Sequence, residues 1–227
     1  MKIQLIISSI GTLLCGPLAS AADHADALTP DRVSVFKAPL VCPAAPQIGC
    51  GSAAKPILLD LEKQQGVHEA WLNRAGTVIA VVWKRDSNAE NRRKVAAELK
   101  DDRATEIEEP AREQTVQEFL SGKGWYHGAD VDRLSEEEAS IIAARLVRLV
   151  KARTTVAPEK TESLQRALSE ALRKDLTGEN ARLNQKPVKL EDVARDYLDQ
   201  EQIKILKEAI KEEVAIENGE RPVPKEG

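Results

Sequence analysis

The segment Thr77-Val78-Ile79-Ala80-Val81-Val82-Trp83 constrains this chain more than any other. It is too short for an ordinary helix and rich in β-branched residues, so it predicts a strand. Alternation places Ile79, Val81 and Trp83 on one face and Val78, Ala80 and Val82 on the other. Both faces are apolar, so the strand belongs in the middle of a sheet that is covered on both sides. Neighbouring elements can be read outward from it. Asn73-Arg74-Ala75-Gly76 has the composition of a hairpin turn, and 67–73 forms the partner strand. Before that, a helix is expected over roughly 53–65. Ser52 would cap it, and Pro56 would sit in its first turn, where amide hydrogens lack partners anyway. Its apolar face is Ile57, Leu58 and Leu61, and Gly66 suits its end. Val33, Val35 and Phe36 predict a first strand ahead of Ala38-Pro39.

On the far side, Ser87-Asn88 can cap a helix to about Leu99, with Val95, Ala96 and Leu99 facing inward. Arg103 to Glu108 reads as a short polar strand whose main apolar residue is Ile107. The order over 33–109 is therefore β-α-β-β-α-β, a split βαβ or ferredoxin-like unit. Beyond it, 110–134 is a connecting segment with a short helix ending at Ser121-Gly122 and a loop at Trp125-Tyr126-His127-Gly128. Residues 135–219 are expected to be helical. Ser135-Glu136-Glu137-Glu138 reads as a capping box for a helix to Arg153. A second helix carries leucines at 164, 168, 172 and 176, and a third, or a bent pair, covers 190–217. The fold class expected is α+β: a ferredoxin-like domain, then a helical region, then a tail at 220–227.

The first residues carry an address rather than a fold. Met1-Lys2, the apolar run Ile3 to Leu18, and Ala19-Ser20-Ala21 read as a secretory signal peptide over 1–21. Cys15 raises a lipoprotein reading, but Leu14 is bulky where that processing needs a small residue. The segment 22–32 reads as a mobile lead-in. The expected location is periplasmic or secreted, with no membrane span once the signal is removed. Cleavage leaves two cysteines, Cys42 and Cys50, and no methionine. In an oxidising compartment a disulfide is the default reading of such a pair.

Several functions are disfavoured. The net charge of -4 offers no broad surface for phosphates, and 3% aromatic residues make a poor platform for stacking bases, so no nucleic-acid partner is expected. There is no G-x-S-x-G, H-E-x-x-H, phosphate loop or dinucleotide fingerprint, so the chain is expected to be non-enzymatic.

The residues of 33–109 resemble the heavy-metal-associated domain of periplasmic mercury-binding proteins and copper chaperones. A cysteine loop lies between first strand and first helix. Leu58-Leu59-Asp60-Leu61-Glu62-Lys63-Gln64-Gln65-Gly66-Val67 looks like the family's helix end, where a Gly-Val pair starts the second strand. Ala70 and Leu72, then Ile79, Val81 and Trp83, match its strand alternation. The resemblance covers about a third of the chain. It implies a carrier that holds a soft ion, Hg(II), Cu(I) or Zn(II), on Cys42 and Cys50 and passes it on by thiolate exchange. The family's cysteines stand two residues apart, whereas seven residues separate Cys42 from Cys50.

Physical chemistry adds reasons for this site. Thiolates suit soft cations. Cys50 precedes a helix N-terminus, and Arg74, Lys100 and Arg103 fall at the same end of such a fold, so lowered thiol pKa values are expected. Two other readings stay open: a structural Cys42–Cys50 disulfide, with the C-terminal helices docking on an envelope protein, and a redox-active pair. His68 lies about 18 Å from Cys50 along the helix and reads as a surface residue. His24 and His127 are weaker candidates.

Overall fold

The computed structural model describes residues 28–183 and 185–217. The expected signal peptide, His24, most of the lead-in and the tail lie outside the described residues. After a 3-10 turn at Pro30–Arg32, the elements are β1 (Val33–Lys37), α1 (Gly51–Glu62), β2 (Val67–Asn73), β3 (Val78–Trp83), α2 (Ala89–Asp101), β4 (Thr105–Glu106), α3 (Ala111–Leu120) and β5 (Trp125–His127). Helices follow: α4 (Asp132–Arg153), α5 (Pro158–Leu176), α6 (Glu179–Arg182), α7 (Leu190–Ala194) and α8 (Gln200–Glu217).

The protein is a mixed α and β structure around a five-stranded sheet of order β4-β1-β3-β2-β5. Every neighbouring pair is antiparallel. β3 is the middle strand, as its two apolar faces require. Ile79, Val81 and Trp83 pack with Leu58 and Leu61 of α1 and Val95 and Leu99 of α2. Ala80 and Val82, with Val33 and Val35, pack against Val116 and Phe119 of α3. Trp83 is fully buried, and its indole N–H donates to Ser34 Oγ at 2.9 Å, so its one polar atom is satisfied. Asn88 caps α2 by accepting from the Glu90 and Asn91 amides, with Asn91 closing the box.

Four local expectations change. α1 begins at Gly51 with Cys50 as its N-cap residue, which moves Pro56 into the helix interior. The start is early because Gly51 lies against the first turns of α4, where a Cβ would come within 2.6 Å of Ser135 Oγ. The strand expected over 103–108 shrinks to Thr105–Glu106, although the Ile107 amide still donates to Val35 O. Trp125-Tyr126-His127 is a strand rather than a loop, paired with β2 so that Trp71 faces His127. Where β5 ends, Glu62 takes over the edge of β2: its Oε1 accepts from the Ala70 amide and pairs with His127 Nε2 at 2.9 Å. Finally, α4 starts at Asp132, so Ser135 and Glu138 are buried inside the helix and form no capping box.

The helical region builds its own core. α5 and α8 both pack on α4. Ile142, Leu146 and Val150 of α4 join Leu164 and Leu168 of α5, Ala194 of α7, and Leu206 and Ala209 of α8. The same cluster contains Cys42, Ala44, Ala45 and Ile48 from the β1–α1 loop. The division expected between 33–109 and 135–219 is thus crossed by that loop. Among the described residues, no helix is long and apolar enough to cross a membrane.

Candidate functional site

The loop between β1 and α1 is a small hairpin of its own. Val41 and Gly49 form an antiparallel bridge, the Cys42 amide donates to Ile48 O at 2.9 Å, and the Cys50 amide donates to Leu40 O at 2.7 Å. Cys42 therefore stands opposite Ile48, and Cys50 opposite Leu40. Residues two apart on one strand share a face, so both thiols lie on the same side, diagonally related.

The sheet fixes this hairpin from below. Leu40 N donates to Gly76 O at 2.9 Å, and Gly49 N donates to Arg74 O at 2.7 Å. Gly76 sits at φ +72°, and a Cβ there would come within 2.5 Å of Gly49 Cα. A Cβ on Gly49 would come within 2.8 Å of Gly76 Cα. Two glycines thus let the cysteine loop and the β2–β3 turn meet backbone to backbone.

Helix α4 fixes it from the other side. Cys42 is 0% exposed. Its Sγ donates to Glu138 Oε1 at 3.1 Å and accepts from the Ala45 amide at 3.2 Å. Two turns further along α4, Arg145 donates one guanidinium nitrogen to Ala44 O and the other to Glu213 of α8. Cys50 is only half-buried, and its Sγ lies 3.3 Å from Ser52 Oγ.

The electrostatics reverse one expectation. Burial pushes the Cys42 thiol up to about 12, and the Glu138 carboxylate adds to this by hydrogen bonding and by its charge. Arg74, named as a cation that would favour the thiolate, is paired with Glu137. Lys100 and Arg103 are absent from the groups that shift Cys42. The sequence reads Glu138 as part of a capping box, because nothing in its spacing reveals which residue will face a buried thiol.

Both cysteines are free thiols. Among the described residues, no group of three or more His, Cys, Asp or Glu side chains could hold a metal ion. His68 is exposed beside Glu69, and His127 belongs to the Glu62 contact, so neither joins the cysteines.

These thiols should react in two stages. In protein lacking Cys15, a thiol reagent at neutral pH should titrate Cys50 quickly and Cys42 only on unfolding. Two fast thiols in the native protein, or none in denaturant, would contradict this arrangement.

The protein-family, curated-protein and solved-structure comparisons found no match to this chain.

Proposed function

We propose that this chain is an exported, non-enzymatic carrier of a soft metal ion, with Cys42 and Cys50 as the donors. On this reading residues 33–109 form a ferredoxin-like domain of the heavy-metal-associated kind, extended by β5 at one edge. The β-α-β-β-α-β element order and the cysteine loop between β1 and α1 support that assignment.

One observation carries the proposal: two reduced thiols on the same face of one clasped hairpin, one half-exposed and one beneath it. Diagonal residues on such a ladder have Cα atoms about 7–8 Å apart. A disulfide needs a closer approach, roughly 4.4–6.8 Å. An ion held between two sulfurs at about 2.3 Å each spans some 4.6 Å, which suits the diagonal better than an S–S bond does. Zn(II) takes four ligands in closed sites, and the pair supplies two, so Hg(II) or Cu(I) is the better cargo. Binding must also displace the tightly held Cys42 proton, which favours an ion with very high thiolate affinity. Cys50 would meet the ion first and Cys42 would complete its coordination.

Metal stoichiometry tests this. Wild type incubated with Hg(II) and then desalted against a small competing thiol should retain about one ion per chain, the expectation for a two-thiolate site. Cys50→Ser should lose at least tenfold in retention. Equal retention by Cys50→Ser, or a Cys42–Cys50 disulfide in protein isolated from the envelope, would overturn the carrier reading.

A further inference from the structure

Four residues of α4 touch the cysteine loop and the helix that follows it. Asp132 pairs with Lys55 of α1, and Ser135 lies against Gly51, the residue after Cys50. Glu138 Oε1 accepts from the Cys42 thiol, and Arg145 donates to Ala44 O. Their spacing of three, three and seven keeps them on one side of the helix. That side of α4 therefore runs from the second turn of α1, past both cysteines, into the turn of the hairpin.

The two middle contacts bear on the two sulfurs. Cys42 is tied directly to Glu138 at 3.1 Å. Cys50 is seated through its neighbour: a Cβ on Gly51 would come within 2.6 Å of both Ser135 Oγ and Val131 O, so the backbone beside Cys50 is pressed against α4. Cys50 is still close enough to act electrostatically on the Cys42 sulfur. A disulfide needs Cβ atoms about 3.5–4.5 Å apart. To reach that, the two strands of the hairpin must shift toward each other. Both are anchored to points three residues apart on α4, a rise of about 4.5 Å that a helix does not shorten.

We propose that α4 is a splint that holds Cys42 and Cys50 apart as two reduced thiols, with Glu138 and Ser135 as the positioning residues. The proposal rests on the carrier reading for its purpose, since a soft ion needs both thiols and a disulfide offers neither. The splint itself is geometric and needs no metal. It makes the helical region part of the site, beyond the 33–109 that resembles a metal carrier.

Redox equilibrium tests it. The mature chain is equilibrated with reduced and oxidised glutathione, quenched with a thiol-blocking reagent and weighed by mass spectrometry. The two thiols and one glutathione disulfide give the Cys42–Cys50 disulfide and two glutathione thiols, so the S–S bond formed in the protein is matched by the one reduced in glutathione. Native wild type should form this bond at least tenfold less favourably than the same chain unfolded in urea. Glu138→Ala should raise the native equilibrium constant at least tenfold, a fall of about 30 mV in reduction potential for this two-electron couple. Glu138→Gln keeps an oxygen that can accept from the thiol and should stay within about threefold of wild type. Val116→Ala, on the far face of the sheet, controls for lost stability and should leave the constant unchanged. Native wild type that closes the disulfide as readily as the unfolded chain overturns the splint. So does an unchanged constant in Glu138→Ala, or an equal rise in Glu138→Gln or in Val116→Ala. Because no metal is present, a chain that shows these shifts but fails to retain Hg(II) rejects the carrier and keeps the splint, and one that retains Hg(II) without them does the reverse.

Discussion

Gly76→Ala should lower the stability of the protein by about 3 kcal/mol, from left-handed backbone strain of ~1–2 kcal/mol plus the cost of overpacking. For a chain of this size that is a fall of roughly 6–12 °C in Tm. The strain follows from φ +72°, and the overpacking from a Cβ within 2.5 Å of Gly49 Cα and closer still to the Leu40 carbonyl oxygen. Those neighbours are backbone, so they cannot swing aside as a side chain would. Gly178→Ala is the matched control: its φ is +70°, and nothing lies within 4 Å of the added Cβ. It should cost only the strain. Urea unfolding of both variants separates the two contributions, and equal losses would show that the loop-to-turn contact is slack. Gly76→Ala should also break the Leu40–Gly76 and Gly49–Arg74 hydrogen bonds, so Cys42 labelling should rise in step with the lost stability.

That contact also explains which parts of this molecule could be read from its residues. The central strand was legible because Thr77–Trp83 is apolar on both faces, a pattern that local chemistry dictates. So were α1, β2 and α2, whose stripes and turn residues agree with their packing. What was hidden depends on distant partners. Trp125-Tyr126-His127 becomes a strand only because β2 leaves an edge open, and three residues are too few to show alternation. Ser135-Glu136-Glu137-Glu138 has the composition of a capping box, yet Ser135 is turned inward against Gly51 and Glu138 against Cys42. The two cysteines were found by residue type and location, while the burial of one of them was not. It arises from α4, whose Glu138, 96 positions further along, holds the sulfur. Arg74, one of the positive charges expected to favour the thiolate, instead pairs with Glu137.

Raising the pH from about 9 to 12 should destabilise the native protein through Cys42 alone by up to about 4 kcal/mol. The ordinary thiol value is 9.0, and in the native state Cys42 is pushed up to about 12, first by burial and then by Glu138. Below pH 9 both the folded and unfolded chains keep the proton, so the contribution is constant. Between 9 and 12 the unfolded chain releases it while the folded chain retains it, so rising pH favours unfolding. Three pH units at about 1.4 kcal/mol each give the magnitude. Lysines and tyrosines titrate in the same range, so the quantity to measure is the difference between wild type and Cys42→Ala. Cys50 and Glu138 are the titratable groups that act on the sulfur, and Ala45 contributes its amide. The wild-type stability should therefore fall relative to Cys42→Ala as pH rises, and Glu138→Gln should shrink that gap by removing the carboxylate's share. Parallel stability curves for wild type and Cys42→Ala would mean that the thiol ionises as freely in the folded protein as in the unfolded chain, and that the hydrogen bond to Glu138 does not hold its proton.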